Sequence, residues 1–379
     1  MKITAAVARS GTAQMRLEQL ELDELRDDEV RVRLVATGVC HTDALVRDQV
    51  LPASLPAVLG HEGAGIVDAV GARVTSVVPG NQVVLSFRSC GGCGPCAAGH
   101  PAACTEFDPL NFGGARSDGT RSLRDSEQQP VSSHFFGQSS FASYANVAER
   151  SVVRVGPTAA LPLLGPLGCG ISTGAGTVWN VLAPPPGASL AVFGGGAVGG
   201  AALLAGLVSD CAQVIVVDVV PSRLALAATL GAHHVIDARH EDPVARIREL
   251  TGSGAEYAID TTGNPAVFRQ MIDALAPHGH GALVGAAAPG TEARIDVGAF
   301  LVRAPTITGV IEGDADPAVL IPRLLALYEA GRFPFDALVT EYPFADIDRA
   351  FADALSGDVV KPILRFPHRD RDTSAGAAR

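Results

Sequence analysis

The sequence predicts an α/β protein with two domains: a mostly β domain, and a domain built on a doubly wound, parallel, six-stranded sheet. Three observations support this prediction. Short apolar runs bounded by Gly or Pro fill the N-terminal part, aliphatic runs alternate with helix-compatible segments from about residue 188, and a glycine-rich turn follows the first of those runs. The length of 379 residues fits two domains, since a domain typically has about 100 to 200 residues.

The N-terminal strands are indicated by the spacing of apolar residues. Residues 30–36 alternate apolar and polar side chains at first, which is the two-residue period of a half-buried strand. Two further apolar runs follow at residues 64–70 and 82–87. We therefore expect a mostly β domain with loops over residues 1–169.

The second domain is indicated by six short aliphatic runs, at 190–193, 214–217, 234–236, 257–259, 282–284 and 306–310. Helix-compatible segments at 221–230, 243–250 and 265–275 separate them, and such alternation is typical of a parallel sheet covered on both faces. The prediction places this domain at residues 170–310. Beyond about residue 310 we expect the alternation to stop and residues 311–379 to return to the first domain, ending in a disordered tail from Pro367.

Composition narrows the function classes. The chain is 47% hydrophobic and 18% charged, which excludes a disordered protein, and its formal charge of −11 argues against nucleic acid or an anionic membrane as a partner. An uncharged stretch from Val155 to Ser209 is interrupted too often by Pro and Gly to be a membrane span. The N-terminus lacks the pattern of a secretory signal, so we expect a cytoplasmic protein with small-molecule partners.

A dinucleotide-binding turn is predicted after the apolar run at 190–193. Gly194, Gly196 and Gly199 form G-x-G-x-x-G between a strand and a helix, where they permit a tight turn, close approach of a pyrophosphate and close packing of the helix. Asp218 follows 19 positions after Gly199, at the end of the next strand, where a carboxylate accepts hydrogen bonds from the adenosine ribose. The alternative is a glycine-rich packing turn followed by a solvated Asp. No Arg directly follows Asp218, which favours NAD over NADP.

A metal site is predicted in a Gly/Pro-rich loop. Its four cysteines have the spacing C-x2-C-x2-C-x7-C, which lets four thiolates surround a zinc ion: Cys90, Cys93, Cys96 and Cys104. Redox-active pairs or an iron–sulfur cluster are the alternatives. Cys211 belongs to no motif and is expected to be a small buried hydrophobe. Histidines outside the motifs, such as His100 and His134, are expected on the surface or in loops.

Two further clusters complete a resemblance to a known family. They are Gly38-Val39-Cys40-His41-Thr42-Asp43 and Gly60-His61-Glu62-Gly63-Ala64-Gly65, and the segment 168–174 (GCGISTG) and the nucleotide turn follow them in order. With the four-cysteine loop, these motifs resemble the zinc-dependent, medium-chain alcohol dehydrogenases over residues 25 to 366. The resemblance implies a GroES-like catalytic domain, a Rossmann nucleotide-binding domain, and two zinc ions with NAD as cofactor.

The resemblance also implies roles for single residues. Cys40, His61 and Cys169 would bind a catalytic zinc that has one open position, as the catalytic zinc of alcohol dehydrogenases does. Glu62 would approach the metal during ligand exchange, and Asp43 would accept a hydrogen bond from the other nitrogen of His61. Thr42 would take the first proton from the alcohol. Contacts to the cofactor are implied for His41, Thr173, Arg223 and Lys361.

One position departs from the family pattern. Many members continue the proton relay through a histidine three residues after the Ser/Thr, where this chain has Leu45. Because leucine cannot carry a proton, the resemblance leaves the route by which the proton reaches solvent unassigned. His41 is the nearest candidate base in the sequence.

Three segments resemble the bacterial aryl-alcohol branch, which oxidises benzyl-type and allylic primary alcohols: 135–141 (FFGQSSF), 168–176 and 311–314 (IEGD). By this resemblance Phe87 and Phe141 line the substrate pocket, with a core role for one or both as the alternative. Two other functions remain open, a glutathione-dependent formaldehyde dehydrogenase and a non-catalytic nucleotide-binding protein. A homodimer formed through the nucleotide-binding domains is expected, with a tetramer as the alternative.

Overall fold

The computed structural model describes residues 1–158 and 160–367. The predicted disordered tail lies outside the described residues from position 368 onward. The strands, in chain order, are β1 (Lys2–Ala8), β2 (Met15–Leu22), β3 (Glu29–Gly38), β4 (Ala57–Val58), β5 (Gly63–Val70), β6 (Gln82–Leu85), β7 (Leu123–Arg124), β8 (Pro130–Val131), β9 (Tyr144–Ala148), β10 (Val152–Val155), β11 (Ser189–Phe193), β12 (Gln213–Asp218), β13 (His234–Asp237), β14 (Ala255–Asp260), β15 (Leu275–Leu283), β16 (Thr306–Gly309), β17 (Val339–Pro343) and β18 (Lys361–Arg365).

The α-helices connect these strands, and four of the eleven in the described residues begin at a proline. They are α1 (His41–Arg47), α2 (Gly94–Ala97), α3 (Phe107–Phe112), α4 (Gly170–Gly176), α5 (Ala197–Val208), α6 (Pro221–Thr229), α7 (Pro243–Thr251), α8 (Pro265–Ala274), α9 (Val297–Arg303), α10 (Pro317–Glu329) and α11 (Ile347–Ser356). Within the described residues, none of these helices is both long enough and apolar enough to cross a membrane.

The first domain is mostly β, as predicted. It contains a five-stranded sheet in the order β4-β1-β2-β7-β8 and a seven-stranded sheet in the order β10-β6-β5-β3-β18-β17, with β9 paired to β3. Strand β3 is central because its apolar residues alternate into the core: Val30, Val32 and Leu34 are all buried. The two sheets enclose the cores that support the loops around the cysteine and histidine motifs.

The second domain confirms the predicted doubly wound fold. Its six strands run parallel in the order β13-β12-β11-β14-β15-β16, and the central β11 is buried along its whole length. Buried parallel strands are apolar throughout, which explains the uncharged stretch of sequence. Helices α6, α7 and α8 each begin at a proline, whose fixed φ angle suits the first helical position.

The expectation that alternation stops after residue 310 is wrong. Helix α10, strand β17, helix α11 and strand β18 continue the alternating order. The chain nevertheless returns to the first domain, because β17 and β18 pair in parallel and β18 then joins β3 in antiparallel orientation. A parallel pair needs a crossover connection, which α11 provides. Helix–strand alternation therefore did not by itself mark the end of the second domain.

Helix α4 joins the two domains through glycine contacts. A Cβ atom on Gly174 would collide with the carbonyl oxygen of Val198 in α5, and one on Gly176 would lie 2.6 Å from the Gly313 carbonyl oxygen. Only glycine permits such close backbone approach. The helix that starts after Cys169 is thereby held against α5, which starts at the nucleotide turn.

Candidate metal and cofactor site

The structure brings together the residues predicted to bind a catalytic metal. Cys40 directly precedes α1, His61 and Glu62 directly precede β5, and Cys169 directly precedes α4. One ligand atom from each of these four residues lies within 4.8 Å of the others. Three separate chain segments thus deliver two sulfurs, an imidazole nitrogen and a carboxylate oxygen to one point.

His61 is oriented as a metal ligand. Its Nδ1 donates a hydrogen bond to Asp43 Oδ1 at 2.9 Å, as predicted, while its Nε2 is buried without a hydrogen-bond partner. Asp43 is also buried and accepts the backbone N–H groups of Cys40 and Gly60 at 3.0 Å each. An unpaired buried nitrogen is costly, and a metal ion with open coordination would satisfy it. The donor set therefore fits zinc.

Glu62 and Lys361 form a buried ion pair. Lys361 Nζ lies 2.8 and 3.0 Å from the two carboxylate oxygens of Glu62, and donates to the Val39 carbonyl oxygen at 3.2 Å. Burial opposes the charge of Lys361, but the Glu62 carboxylate outweighs it and raises the pKa of Lys361. This ammonium is 3% exposed and its donors face Glu62 and Val39, and its contact with a cofactor phosphate stays a prediction.

The thiols of Cys40 and Cys169 respond to this charged environment. A hydrogen bond from Cys169 lowers the pKa of Cys40 against the effect of burial, and the charges of Lys361 and His61 lower it further. A thiolate is the form that binds a metal. The site therefore favours the ligating form of at least one of its two cysteines.

The four-cysteine loop also forms a compact cluster. Its sulfurs lie within 4.8 Å of one another, with 4.0 Å between Cys90 and Cys96 and 4.0 Å between Cys93 and Cys104. Four sulfurs around a tetrahedral zinc, each about 2.3 Å from the metal, lie about 3.8 Å apart, so the loop matches a structural zinc site. Cys211 is buried in the second domain, as predicted.

The nucleotide turn has the geometry that its glycines predict. Gly194 has a φ of 98°, a Cβ on Gly199 would collide with the Gly194 carbonyl oxygen, and a Cβ on Gly196 would meet nothing within 4 Å. Open space at Gly196 lets a phosphate approach the backbone at the start of α5. Asp218 accepts the N–H groups of Gly195, Val219 and Val220, so its carboxylate is fixed at the edge of this turn.

Other predicted cofactor and relay residues lie beside the nucleotide turn or beside the predicted metal ligands. Arg223 Nη1 is 4.0 Å from Asp218 Oδ2, and Thr42 Oγ1 is 3.9 Å from Cys40 Sγ. His41 is exposed at the start of α1, one residue after Cys40. Leu45 lies on the same short helix and is half-buried.

Aromatic rings cover one side of His61, but they are not the two predicted. Phe136 stacks on the imidazole with ring centroids 4.5 Å apart, and Phe135 meets it edge-on at 5.5 Å. Phe141 is fully buried with its ring edge-on to that of Phe351, and Phe87 is buried with its ring against Phe107. Their place in a substrate pocket stays a prediction. Phe135 and Phe136 were visible in the segment that resembles the aryl-alcohol branch.

Two further buried residues were given no role from the sequence. Glu312 Oε1 lies 3.6 Å from Cys169 Sγ and its Oε2 lies 3.4 Å from Thr173 Oγ1, and burial raises the pKa of Glu312 to about 7. His134 lies in a loop, as one of the two predicted alternatives has it, but it is 2% exposed, so the surface alternative is wrong. Its ring is enclosed because both nitrogens have partners inside the first domain.

The comparisons with known proteins agree with this geometry. The model of the alcohol dehydrogenase GroES-like domain matches residues 26–157, and that of the zinc-binding dehydrogenases matches residues 197–327. The geraniol dehydrogenase of Castellaniella defragrans is 46% identical over 364 residues, which cover 96% of this chain and 97% of the relative.

Two solved structures are similar over nearly the whole chain. The zinc-binding domain alcohol dehydrogenase protein of Burkholderia ambifaria has a TM-score of 0.95 and 52% identity, and the benzyl alcohol dehydrogenase of Acinetobacter calcoaceticus has a TM-score of 0.94 and 47% identity. Each comparison covers 97% of this chain and 100% of the other. The chain therefore belongs to the zinc-dependent, medium-chain alcohol dehydrogenases, and its activity is alcohol oxidation.

The buried ion pair generates a stability prediction. Lys361→Met leaves the Glu62 carboxylate buried without its cation, so the free energy of unfolding should fall by about 3 to 5 kcal/mol. Arg365 lies on the same strand, and its pair with Glu341 is 33% and 46% exposed, so Arg365→Met should cost about 1 kcal/mol or less. Urea unfolding measures both variants. Equal losses would contradict the importance assigned to the buried pair.

Proposed function

We propose that the chain oxidises primary aromatic or allylic alcohols to aldehydes, reversibly, with NAD as the preferred cofactor. The observation that carries this proposal is the pair of aromatic rings, Phe135 and Phe136, against the ligand His61. Flat π-systems stack favourably on such rings. The names of the geraniol and benzyl alcohol dehydrogenases, which specify an allylic and an aromatic alcohol, point to the same substrate class.

The chemistry follows from the residues that surround the site. When bound, zinc acts as a Lewis acid that lowers the pKa of an alcohol, and NAD accepts the hydride. Cys40, His61 and Cys169 would hold the metal, and Asp43 fixes the His61 tautomer that leaves Nε2 free to bind it. Thr42 would take the proton of the substrate hydroxyl at Oγ1. Phe135 and Phe136 exclude water from that side of the site.

The proton route beyond Thr42 differs from that of many relatives. Leu45 has no group that can accept a proton, and it occupies the place of their relay histidine. His41 is exposed at the start of the same helix, where its ring is in contact with solvent. We therefore assign proton release to water or to His41.

The metal content tests the two-site assignment. The chain should bind two zinc ions, and Cys169→Ser should lose one of them together with activity. Cys96→Ser should lose the other ion and lower the thermal stability, because a structural zinc holds a loop with little core of its own. Cys211→Ala is the matched control and should retain both ions, since it belongs to neither cluster. Full activity of Cys169→Ser at two zinc ions would contradict the assignment.

The substrate class is tested by comparing alcohols. Benzyl and geranyl or cinnamyl alcohol should exceed ethanol in kcat/KM by more than tenfold, since each buried methylene contributes about 0.8 kcal/mol. Ethanol as the best substrate, or activity confined to S-hydroxymethylglutathione, would refute the substrate proposal.

The proton acceptor is tested at Thr42. Thr42→Ala should lower kcat for benzyl alcohol by about a hundredfold, the typical contribution of a positioned proton acceptor, whereas Thr42→Ser should retain most of the wild-type kcat.

The cofactor preference is tested at Asp218. Its negative charge would repel the 2′-phosphate of NADP, so the wild type should prefer NAD. Asp218→Asn removes the charge and keeps one acceptor oxygen, which can serve either the Gly195 N–H or the N–H groups of Val219 and Val220, and it should narrow the preference for NAD in kcat/KM about tenfold or more. Asp218→Ala should weaken both cofactors, because the turn at Gly195 loses its acceptor. Equal kcat/KM values for NAD and NADP in the wild type would contradict the proposed contact between Asp218 and the adenosine ribose.

We also propose a homodimer formed through the second domain. Strand β16 lies at the edge of the six-stranded sheet, and the adjacent α9 exposes Val297 by 78%, Leu301 by 78% and Val302 by 85%. An open strand edge beside exposed apolar side chains favours association. Leu301→Glu combined with Val302→Glu should yield monomers in light scattering, while Val319→Glu, at a position 68% exposed on α10, should not. A wild-type tetramer would indicate a further interface.

A cytoplasmic location is part of the proposal. The seven cysteines all lie in the described residues and form no disulfide, as expected in a reducing compartment.

A further inference from the structure

We propose that His134 is a positioning residue that holds the aromatic pair Phe135–Phe136 against His61 and thereby sets the preference for flat, apolar alcohols. Glu29 and Arg116 act through it. The inference rests on the proposed function for its substrate class, but the contacts that support it do not involve a substrate.

The first observation is the backbone of the segment. His134 and Phe136 have φ angles of 64° and 50°, and Gly137 has a φ of 69°. Glycine adopts this left-handed conformation freely, whereas side chains such as that of Phe136 rarely do. Such conformations cost about 1 to 3 kcal/mol per residue and persist only where the surroundings enforce them. Something must therefore hold this segment in place.

The second observation is the anchor on His134. The Ser133 hydroxyl lies 3.0 Å from its Nδ1, and its Nε2 lies 3.2 Å from Glu29 Oε1. Because the carboxylate can only accept, Nε2–H donates to Glu29 and Nδ1 accepts from Ser133. The Ser133 oxygen in turn accepts the Ser122 N–H at 3.0 Å, so this chain of hydrogen bonds is complete.

The third observation is that the acceptor is itself fixed. Arg116 donates to both carboxylate oxygens of Glu29, at 2.7 and 3.1 Å, and to Asp23 at 3.3 Å. Burial opposes the charge of Glu29, but His134 and Arg116 outweigh it and lower its pKa to about 2. Burial lowers the pKa of His134, which favours the neutral ring that this hydrogen-bond pattern requires. Since Glu29 begins β3, the anchor is tied to the central strand of the sheet.

The other end of the segment reaches the metal site. Phe136 and Phe135 contact the His61 ring, and Gln138 donates to the His61 carbonyl oxygen at 2.8 Å and accepts the Gly63 N–H at 3.1 Å. The five residues from 134 to 138 thus connect a fixed carboxylate to both the ring and the backbone of a metal ligand. Loss of the His134 hydrogen bonds would free the strained backbone to relax and would move the rings away from His61.

The test compares two replacements of similar size. His134→Leu removes both hydrogen bonds, while His134→Gln keeps a donor and an acceptor at the same left-handed position. The ratio of kcat/KM for benzyl alcohol to that for ethanol should fall at least tenfold in His134→Leu and stay within threefold of the wild type in His134→Gln. Val67→Ala, a core variant in β5, should lower the thermal stability without changing the ratio.

A measurement without turnover separates this inference from the proposed function. The planar chelator 1,10-phenanthroline binds zinc and must fit beside the same rings, so its Kd for the zinc-loaded enzyme should rise at least threefold in His134→Leu. If the wild type shows no preference for benzyl alcohol, the substrate proposal fails and the phenanthroline result alone decides the role of His134. An unchanged Kd, or an unchanged ratio in a wild type that does prefer benzyl alcohol, would overturn the inference.

Should His134→Leu fail to fold, Ser133→Ala decides. It removes the partner of Nδ1 and the acceptor of the Ser122 N–H but leaves the hydrogen bond from His134 to Glu29, and a ratio at least threefold below the wild type would support the positioning role. A wild-type ratio in folded Ser133→Ala would overturn it.

Discussion

The structure depends on one electrostatic requirement: the buried polar groups at the metal site must satisfy each other before any ligand binds. Asp43 pairs with His61, and Glu62 pairs with Lys361, all with almost no exposed surface. Charges taken out of water are tolerated only when partners are close and well oriented. Lys361 is the first residue of β18. Because it must reach Glu62, the C-terminal part of the chain has to return to the first domain. The nitrogen left unpaired, Nε2 of His61, is the one that a metal would use.

Backbone contacts between α4 and α5 fix the position of the metal-site residues relative to the nucleotide turn. Gly174 lets α4 approach α5, and the two helices begin beside a metal ligand and beside the nucleotide glycines respectively. A side chain at this position would separate the metal from the cofactor turn, and misplacement of reacting groups by about 1 Å can cost about a hundredfold in rate. Glycine at position 174 is therefore needed for the close approach of the two helices, not for backbone flexibility.

The aromatic side of the site obeys a different constraint. Phe136 occupies a backbone conformation that a bulky residue seldom adopts, and it does so directly beside His61. Strain of this kind is stable only where the surrounding structure enforces it, and here a buried network of Glu29, His134 and Arg116 lies next to it. The proposed role of His134 links the stability of the first domain to substrate selectivity through the same few hydrogen bonds.

The sequence alone determined the features that depend on local spacing. The six parallel strands, the glycine turn at Gly194 and the four-cysteine cluster all follow from short-range patterns, because periodicity and turn geometry act over a few residues. The ligands Cys40, His61 and Cys169 were identified only through family resemblance. Tertiary structure decided what depends on contacts between distant segments: β17 and β18 completing the first sheet, Lys361 pairing with Glu62, and Phe136 rather than Phe141 covering His61. Two phenylalanines five positions apart look equivalent in a sequence, and only the packing of other segments around them places one against His61 and the other against Phe351.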